Sequence, residues 1–424
     1  MRRQRRLLYL RTVQVTGGIV EIESLNIRGR ARIPTACNCP GFRNSSTDLP
    51  DALESAWVPT KIGGPGAPAD LSKMAGYACN FPVFLGRSHV PLKMDHEPPA
   101  FPPIDPKSRR RSLKLPREIG ILGALGVMVL ILAIFISQFR EIQNLTNITR
   151  NFSFVGIVAM GMTAVILTGG IDLSVGSIWG MTAVIVAALL TGGWPVFVAI
   201  PIGLLGAAAI GLINGLCITR LNMSPFVPTL ATLSIARSLA LIITRGRPIS
   251  IFGDEYQLFL WIGGGDIFGI PNPFIIFLVV VLLFWLLLSR TVWGRYVYAV
   301  GGNERAARLT GLRVDRLKII VYILSAVVAG LAGVIQLSYL SSVTADLGTG
   351  NELAVIAATV IGGANLAGGE GTILGTVIGA IILEVLRNGL LLFGIDPYWQ
   401  GVFVGAVIIL AVSVDYFRKL LHHD

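Results

Sequence analysis

The sequence predicts an all-α fold: a polytopic membrane protein of about ten transmembrane helices, some of them interrupted, with one short helix on the cytoplasmic side. Composition is the first observation, since 53% of the 424 residues are hydrophobic and only 14% are charged. The second is a series of apolar runs after residue 117, most of them close to the ~20 residues that cross a bilayer core of roughly 30 Å. These runs do not alternate with polar residues, so helices rather than a β-barrel are predicted.

Three regions follow from the composition. Residues 1–93 are rich in Gly, Pro and Arg without a sustained hydrophobic period, so we expect a poorly structured N-terminal extension. A second hypothesis is that this extension is not made, because Met94 opens a segment typical of a short cytoplasmic tail. Residues 94–117 are a basic tail, and residues 118–418 form the membrane domain. Residues 1–115 hold 18 of the 35 Lys and Arg residues, and a basic membrane flank explains this excess without nucleic acid as a partner.

Ten apolar runs are predicted to cross the membrane. They are residues 119–139, 152–168, 175–191, 195–217, 225–244, 272–289, 317–339, 351–363, 372–392 and 397–416. The run 351–363 is short for a bilayer, and Gly169-Gly170 breaks the chain between two other runs. We therefore expect helices that are interrupted inside the membrane, where protein or a water-filled cavity covers the free backbone groups.

Positive charge orients these spans. A cytoplasmic N-terminus places 16 Lys and Arg residues on the inner side and four on the outer side, so the C-terminus is also predicted to be cytoplasmic. The four outer residues are Arg140, Arg150, Arg245 and Arg247. The inner side then includes the densely charged segment 290–318, which carries seven Lys and Arg residues besides Glu304 and Asp315.

The charged segment carries the signals of a short helix. Asn303 can cap its first turn, and Glu304 follows at the positive end of the helix dipole. Ala306 and Ala307 give it a small apolar face, and Gly311 supplies a stop. The predicted helix has about two turns, too few to span a bilayer, and its small face could fit a groove on another protein.

Small residues recur at helical spacing in two places. The two stripes are Gly371, Gly375 and Gly379, and Ala207, Gly211 and Gly215. In lipid, such stripes let helix backbones approach closely, so we interpret these glycines as helix-packing residues. The Gly-rich segments "GGIDLSVG" (169–176) and "GGANLAGG" (362–369) also echo each other, either through a duplication or because Gly-rich turns look alike.

Five segments together resemble the ribose-type monosaccharide permeases of ABC importers, in the order that family has. They are "GGIDLSVGS" (169–177), "SPFVPTLATLSIARSLALIITRGRPI" (224–249), "GRYVYAVGGNERAARLTGL" (294–312), "VIGGANLAGGEGTILGTVIGA" (360–380) and "YWQGVFVGAVIILAVSVD" (398–415). Within the third, "NERAARLTG" is a loosened form of the family's cytoplasmic coupling pattern, Glu-Ala-Ala, three residues, Gly. The resemblance covers about residues 117–418, and residues 1–93 have no counterpart in it.

The resemblance implies a transport subunit and not an enzyme. A pair of permease subunits, expected to be a homodimer, forms the pathway in the lipid of a bacterial inner membrane. A periplasmic binding protein delivers ribose, xylose, galactose or a similar monosaccharide, and a separate ATP-binding subunit docks on residues 301–313. The coupling residues are then Gly301, Gly302, Asn303, Glu304, Ala306, Ala307 and Gly311. The chain has no Gly-x-x-x-x-Gly-Lys-Ser/Thr loop, so ATP is expected to bind the partner, and this chain to hold no cofactor or metal.

Polar residues in or near the spans are the candidates for the translocation pathway. Asp172 is the N-cap of the next helix, reinforced by Ser174, or a functional residue that lines the inner mouth of the pathway or contacts the ATPase. The structural and functional roles are compatible. Because the binding protein recognises the sugar, a weak polar lining would suffice. Its candidate residues are Asn214, Asn222, Ser224, Phe226, Thr229 and Thr232. Glu384 and Arg387 are three residues apart and predicted to pair structurally on one helix face.

Two other functions fit the sequence less well than import by an ABC permease. An ion-coupled secondary transporter of small polar solutes needs titratable groups at membrane depth, but all four histidines lie outside the predicted spans and acids within them are scarce. An intramembrane enzyme needs a nucleophile with a base, or a metal site, and the sequence has no motif of either kind.

Overall fold

A computed structural model describes residues 117–251, 253, 256–407, 409 and 413, together with three short segments nearer the N-terminus. The chain divides into two compact units, Met1–Pro103 and Ile104–Asp424. In the first unit, three antiparallel strands form a sheet in the order β1-β2-β3. These strands are β1 (Val13–Thr16), β2 (Ile19–Ile22) and β3 (Ala36–Asn38). The rest of the predicted extension 1–93, and the predicted tail 94–117 except Arg117, lie outside the described residues.

The described part of the second unit is built almost entirely of helices. They are α1 (Arg117–Phe135), α2 (Ile142–Leu167), α3 (Val175–Thr191), α4 (Val196–Arg220), α5 (Phe226–Thr244), α6 (Gln257–Gly264), α7 (Asn272–Arg290), α8 (Val292–Gly302), α9 (Glu304–Leu309), α10 (Val314–Leu340), α11 (Asn351–Ile361) and α12 (Ile373–Leu392). After a 3-10 turn at Pro397–Trp399, residues 400–407 are again helical.

The predicted fold class is confirmed. Within the described residues, seven helices are long and apolar enough to cross a membrane, namely α1, α2, α4, α5, α7, α10 and α12. The shorter apolar helices α3 and α11 correspond to two further predicted spans. The tenth predicted span, 397–416, is described only over 397–407 and at residues 409 and 413.

Short strand pairs link the loops at the end of the bundle where α5 and α10 finish. β4 (Ile249–Ser250) pairs antiparallel with β7 (Ser342–Val343), although almost a hundred residues separate them in sequence. β5 (Asp266–Ile267) and β6 (Ile270–Pro271) form a small hairpin. Residues 245–271 join two of the predicted spans, and the structure places the helix α6 within this connection.

Helix α2 is the centre of the bundle. In the most apolar stretch of this helix, 89% of the residues are buried. Helices α10, α12, α7 and α11 all pack against it. The sequence predicts a start near residue 152, but α2 begins at Ile142 because its polar first turns find partners. The Asn144 amide exchanges hydrogen bonds with Asn388 of α12 at 3.1 and 2.7 Å, and the Arg150 guanidinium lies 4.6 Å from the centre of the Tyr339 ring.

Glycines set the closest helix contacts. A Cβ at Gly211 of α4 would lie 2.6 Å from the Tyr322 carbonyl oxygen of α10, and one at Gly215 would lie 2.8 Å from the Ile319 Cα. On α12, a Cβ at Gly375 or Gly379 would overlap a carbonyl oxygen of the α11 segment, that of Gly362 or of Ala358. Gly371, the third member of that predicted helical stripe, lies before the helix begins, with φ +152°.

Two helices are interrupted inside the bundle. α2 ends at Leu167 and α3 begins at Val175, so the predicted break at Gly169-Gly170 is present. The half-helix α11 has 11 residues and follows a non-helical segment, 344–350, that reaches the first turns of α3. Arg237 of α5 donates to the carbonyl oxygens of Ala345 (2.7 Å) and Leu347 (3.1 Å) in this segment. The guanidinium therefore satisfies backbone groups that lipid could not.

Candidate functional site

Helix α9 is held to the start of α10 by a cluster of charges. The Asn303 side chain caps α9 by accepting from the Ala306 amide at 3.0 Å. Lys318 Nζ lies 2.7 Å from one Glu304 carboxylate oxygen, and Arg308 Nη2 lies 2.9 Å from the other. Arg308 also reaches Asp315 at 2.6 Å. These contacts fix the orientation of a helix too short to be stable alone.

The electrostatics of this cluster favour its charged form. Burial alone would raise the pKa of the Glu304 carboxyl, but hydrogen bonds from Lys318 and Arg308 and their positive charges outweigh burial and lower that pKa below its ordinary value. Hydrogen bonds to Asp315 and Glu304 raise the pKa of Arg308. Near neutral pH the Glu304 and Arg308 side chains are therefore both ionised.

The apolar face of α9 divides into an inward and an outward part. The sequence predicts that Ala306 and Ala307 form a small face for a partner. Ala307 is instead buried against its own chain, with 5% exposure. Ala306 is exposed, and Leu309 is 89% exposed. Gly311 follows with φ +87°, where the chain turns into α10. The predicted set of coupling residues does not include Leu309, although it is a large and exposed apolar side chain. Its orientation depends on which face of α9 packs inward, and the sequence alone does not show this.

Gly301, at the end of α8, joins the charged segment to both interrupted helices. A Cβ at this position would overlap the Leu167 carbonyl oxygen and lie 2.5 Å from the Gly369 amide nitrogen. The Gly369 amide itself donates to the Leu167 oxygen at 3.0 Å. The two Gly-rich segments that echo each other in sequence also approach closely here, since a Cβ at Gly368 would lie 2.9 Å from the Gly169 amide nitrogen. We call Leu167, Gly301 and Gly369 the glycine junction.

A cavity of about 870 Å³ opens beside the glycine junction. Asn222 and Ser224, from the turn between α4 and α5, line it together with Asn303 and Glu304. Two candidate pathway residues and four candidate coupling residues, Gly301 to Glu304, therefore line the same cavity. Gly302 also lines it, and a Cβ there would meet no atom within 4 Å.

The other polar pathway candidates form a buried hydrogen-bond chain across four segments. The Asp172 carboxylate accepts from the Ser174 amide at 3.0 Å, from its hydroxyl, and from the Ser325 hydroxyl of α10 at 3.2 Å. Asn214 of α4 donates to the Ser174 hydroxyl at 3.0 Å and accepts from Thr232 of α5 at 2.8 Å.

All five side chains of this hydrogen-bond chain are buried, and their polar groups bond to one another. None of the five lines the cavity. Asp172 is not the N-cap that the sequence predicts, since α3 begins at Val175 and its N-cap residue is Ser174. The Ser174 amide and hydroxyl instead donate to the Asp172 carboxylate. Thr229 is also buried and donates to the Pro225 carbonyl oxygen, whereas Phe226 is 53% exposed. Four of the eight candidates therefore lie in the buried network and two line the cavity, while Thr229 and Phe226 do neither.

Comparison with known proteins agrees with this architecture. Residues 144–412 match the family described as the permease component of the branched-chain amino acid transport system. The chain is 43% identical over 295 residues to the ribose import permease protein RbsC of Escherichia coli K12, spanning 69% of this chain and 92% of that protein.

Two further relatives have the same extent. The ribose import permease protein RbsC of Bacillus subtilis is 42% identical over 299 residues, which span 70% of this chain and 92% of that protein. The L-arabinose transport system permease protein AraH of Escherichia coli K12 is 35% identical over 314 residues, which span 74% and 95%. The chain therefore belongs to the ribose-type sugar permeases of ABC transporters, and not to the ion-coupled secondary transporters.

Proposed function

We propose that this chain is the membrane subunit of an ATP-driven importer that moves a monosaccharide into the cytoplasm. A separate ATPase docks on residues 301–313, and a periplasmic binding protein delivers the sugar from outside. Ribose and arabinose, named for the relatives, are the first candidates for the sugar. The chain itself is a transport subunit without a cofactor, and ATP belongs to the docking partner.

The glycine junction is the observation that carries this proposal. Gly301 brings the backbone next to the α9 docking segment against the break between α2 and α3, and against the loop between α11 and α12. No side chain lies between these backbones to absorb a displacement. A push on α9 would therefore reach both interrupted helices, which are the parts of a bundle that can change shape most readily.

The ion pairs of α9 form a second connection through which a displacement of α9 would reach the bundle. Lys318 lies on α10, which packs against α2, α3 and α4. Since Glu304 ties α9 to that side chain, α9 and the first turn of α10 would move together. The buried chain from Ser325 to Thr232 would then keep α10, α4 and α5 in register, because breaking any of its bonds leaves a buried polar group unpaired.

Arrangement in the membrane completes the proposal. We infer that α9 and both termini face the cytoplasm, as the distribution of Lys and Arg indicates. The exposed apolar side chains of α1, α4, α5 and α7 would contact lipid or a second permease subunit. We further propose a homodimer, in which two copies of the α9 surface offer the ATPase two docking points.

The docking role of α9 is tested by changing its exposed leucine. We expect Leu309→Ser to lower the affinity for the ATPase subunit at least about fivefold, since truncating an apolar contact that matters at an interface costs more than about 1 kcal/mol. Co-purification with the ATPase and sugar-stimulated ATP hydrolysis in proteoliposomes measure this. Membrane insertion and thermal stability should be unchanged, because Leu309 packs against little of its own chain.

Ile142→Ser is the matched control. Ile142 is an equally exposed apolar residue, at 83%, but it lies at the opposite end of α2 from the glycine junction. Its substitution should leave ATPase association intact. Normal association and hydrolysis in the Leu309→Ser protein would refute docking at α9.

A further inference from the structure

A groove of about 330 Å³ lies between α8 and the first turns of α10. Trp293, Tyr296 and Val300 line it from α8, at spacings of three and four residues that place them on one helix face. Leu317 and Ile320 line it from α10, three residues apart. Two helix faces of largely apolar character therefore border this space, which we call the α8–α10 groove.

Close packing on α7 fixes the α8 side of the groove. A Cβ at Gly294 would overlap the Leu288 carbonyl oxygen, and Val297 is fully buried. Thr291 caps the helix by accepting from the Gly294 amide at 3.1 Å. Tyr296, on the groove face, is 41% exposed. The groove face of α8 is therefore held in place by its buried face and stays accessible.

The charged side chains of the groove are both positive. Arg313 and Arg316 line it and are exposed, and none of the described residues that line it is an acid. Asp315, which lies between them in sequence, is engaged by Arg308 at 2.6 Å. Within the part of the chain that the structure describes, neither Arg313 nor Arg316 has an ion-pair partner. Two guanidinium groups are therefore available to an anion that the chain itself does not supply.

A cavity of about 250 Å³ near the start of α2 lacks this uniform charge. Its wall holds both an acid and a base, Glu384 and Arg387. They do not form the ion pair that the sequence predicts, since no nitrogen–oxygen distance between them is within 4.0 Å. Because that wall can present either sign of charge, the α8–α10 groove is the one of the two that indicates an anionic ligand.

The groove lies where the bilayer surface is expected. α7 and α10 are long and apolar enough to cross a membrane, and α8 connects to the end of one and lies beside the start of the other. Trp293 and Tyr296 are residue types that are enriched at the lipid–water interface. Ile320, at 44% exposure, continues the apolar surface along α10. This level rests on the membrane arrangement proposed above, and it places the two arginines beside lipid headgroups.

We propose that the α8–α10 groove binds an anionic phospholipid, with the lipid phosphate on Arg313 and Arg316 and the acyl chains along Ile320. Guanidinium groups bind phosphate through paired hydrogen bonds, and basic pockets beside transmembrane helices suit anionic headgroups. At about 30 Å³ per water molecule, the groove has room for about eleven waters. That space accepts a phosphate and its glycerol, while the acyl chains extend into the bilayer. The lipid would then bridge α8 and α10, the two helices that flank α9.

Lipid titration of the full chain tests this site. The permease in detergent, without ATPase, is titrated with phosphatidylglycerol and with phosphatidylcholine of the same acyl chains, and bound lipid is counted by native mass spectrometry. We expect the first phosphatidylglycerol to bind at least about tenfold more tightly than phosphatidylcholine. Arg316→Gln should weaken its binding about fivefold, and adding Arg313→Gln should weaken it about fivefold more. Phosphatidylcholine binding should not change in either variant.

Arg305→Gln is the matched control. Arg305 is an exposed arginine of α9 that has no ion-pair partner among the described residues, and it does not line the α8–α10 groove. Its variant should bind phosphatidylglycerol as the wild type does. An equal loss in this variant, or wild-type binding in the double variant, would overturn the site and leave only a general attraction between a basic chain and anionic lipid.

ATPase association is measured with the same variants, because the groove adjoins the proposed docking segment. Weaker association together with unchanged lipid binding would assign Arg313 and Arg316 to the ATPase and overturn the lipid site. Thermal unfolding should be unchanged, since both side chains are exposed. A wild-type chain that prefers phosphatidylglycerol but never associates with an ATPase would reject the proposed import function alone. A chain that associates with the ATPase but lacks this preference would reject the lipid site alone.

Discussion

At Gly301 the backbone of α8 touches two distant parts of the chain with no side chain between them. Leu167 ends α2 and Gly369 precedes α12, and both backbones lie within the space that a Cβ would occupy. Gly302, the next residue, is helical as well but meets no atom within 4 Å of a built Cβ. The two glycines therefore differ in environment while sharing residue type and helix, and they form a natural experimental pair.

We expect Gly301→Ala to impair transport strongly and Gly302→Ala to leave it close to wild type. The added methyl at Gly301 must push two backbone segments apart, which typically costs about 1–3 kcal/mol, whereas alanine at Gly302 slightly favours the helix. Sugar uptake and thermal unfolding in detergent measure both effects. Equal uptake by the two variants would mean that the glycine junction does not transmit the ATPase motion.

Sequence reasoning reached some residue-scale features because they depend on local chemistry. The cap at Asn303 and the left-handed turn at Gly311 are both present, since each is set by the residue's own backbone or side chain. The inward orientation of Ala307 and the exposure of Leu309 depend on how α9 packs against the rest of the bundle. No local pattern distinguishes those two residues, and the coupling role of the segment stays a prediction.

Helix α9 as a unit responds to pH through Glu304. Its carboxyl has a pKa below the ordinary value of 4.5, so the ion pairs contribute to stability above that value and are lost as the pH falls through the lowered pKa. We expect α9 to stay fixed from pH 8 to about pH 5 and to loosen only below pH 4.5. The contribution is modest, because a half-exposed pair is screened by solvent and worth at most about 1 kcal/mol.

A spin label at Thr310→Cys, in a chain whose other cysteines are replaced, reports this loosening by EPR. Glu304→Gln is the control, since it removes the titrating group and should leave the label mobile at every pH. A mobility change between pH 6 and pH 8 in the Glu304 protein would contradict the assignment, because Glu304 is fully ionised across that range.

Element boundaries were predictable where composition changes sharply. The break after Leu167 and the start of α12 at Ile373 follow Gly-rich sequence directly. The early start of α2 at Ile142 was not predictable, because its polar first turns are stable only through Asn388 and Tyr339 far along the chain. The helix α6 was missed for a similar reason, since its Gly263 packs against α10 and its flanking strand β4 pairs with β7.

At the scale of the whole molecule, the distribution of Lys and Arg predicts which end of the bundle faces the cytoplasm. Phe268, in the β5–β6 hairpin, is 100% exposed and belongs to the end predicted to face outward. Leu309 is 89% exposed at the end predicted to face the cytoplasm. Cysteine substitutions at these two positions therefore report opposite sides of the membrane.

In a cysteine-free chain, we expect Phe268→Cys to react with a membrane-impermeant maleimide in intact spheroplasts. Leu309→Cys should react only after the membrane is permeabilised. Both variants should label fully in detergent, which controls for intrinsic reactivity. The reverse pattern would invert the topology and move α9 out of reach of a cytoplasmic ATPase.

The enclosure of α2 also has a consequence for biosynthesis. This helix leaves the ribosome second among the long apolar helices, yet its covering neighbours α10 and α12 are made near the end of the chain. Until they arrive, Thr163 lacks its partner Thr376, and Asn144 lacks Asn388. A polypeptide stopped before α10 would leave these groups facing lipid. The bundle therefore closes only when synthesis is complete, and truncated chains are expected to become substrates for membrane proteases.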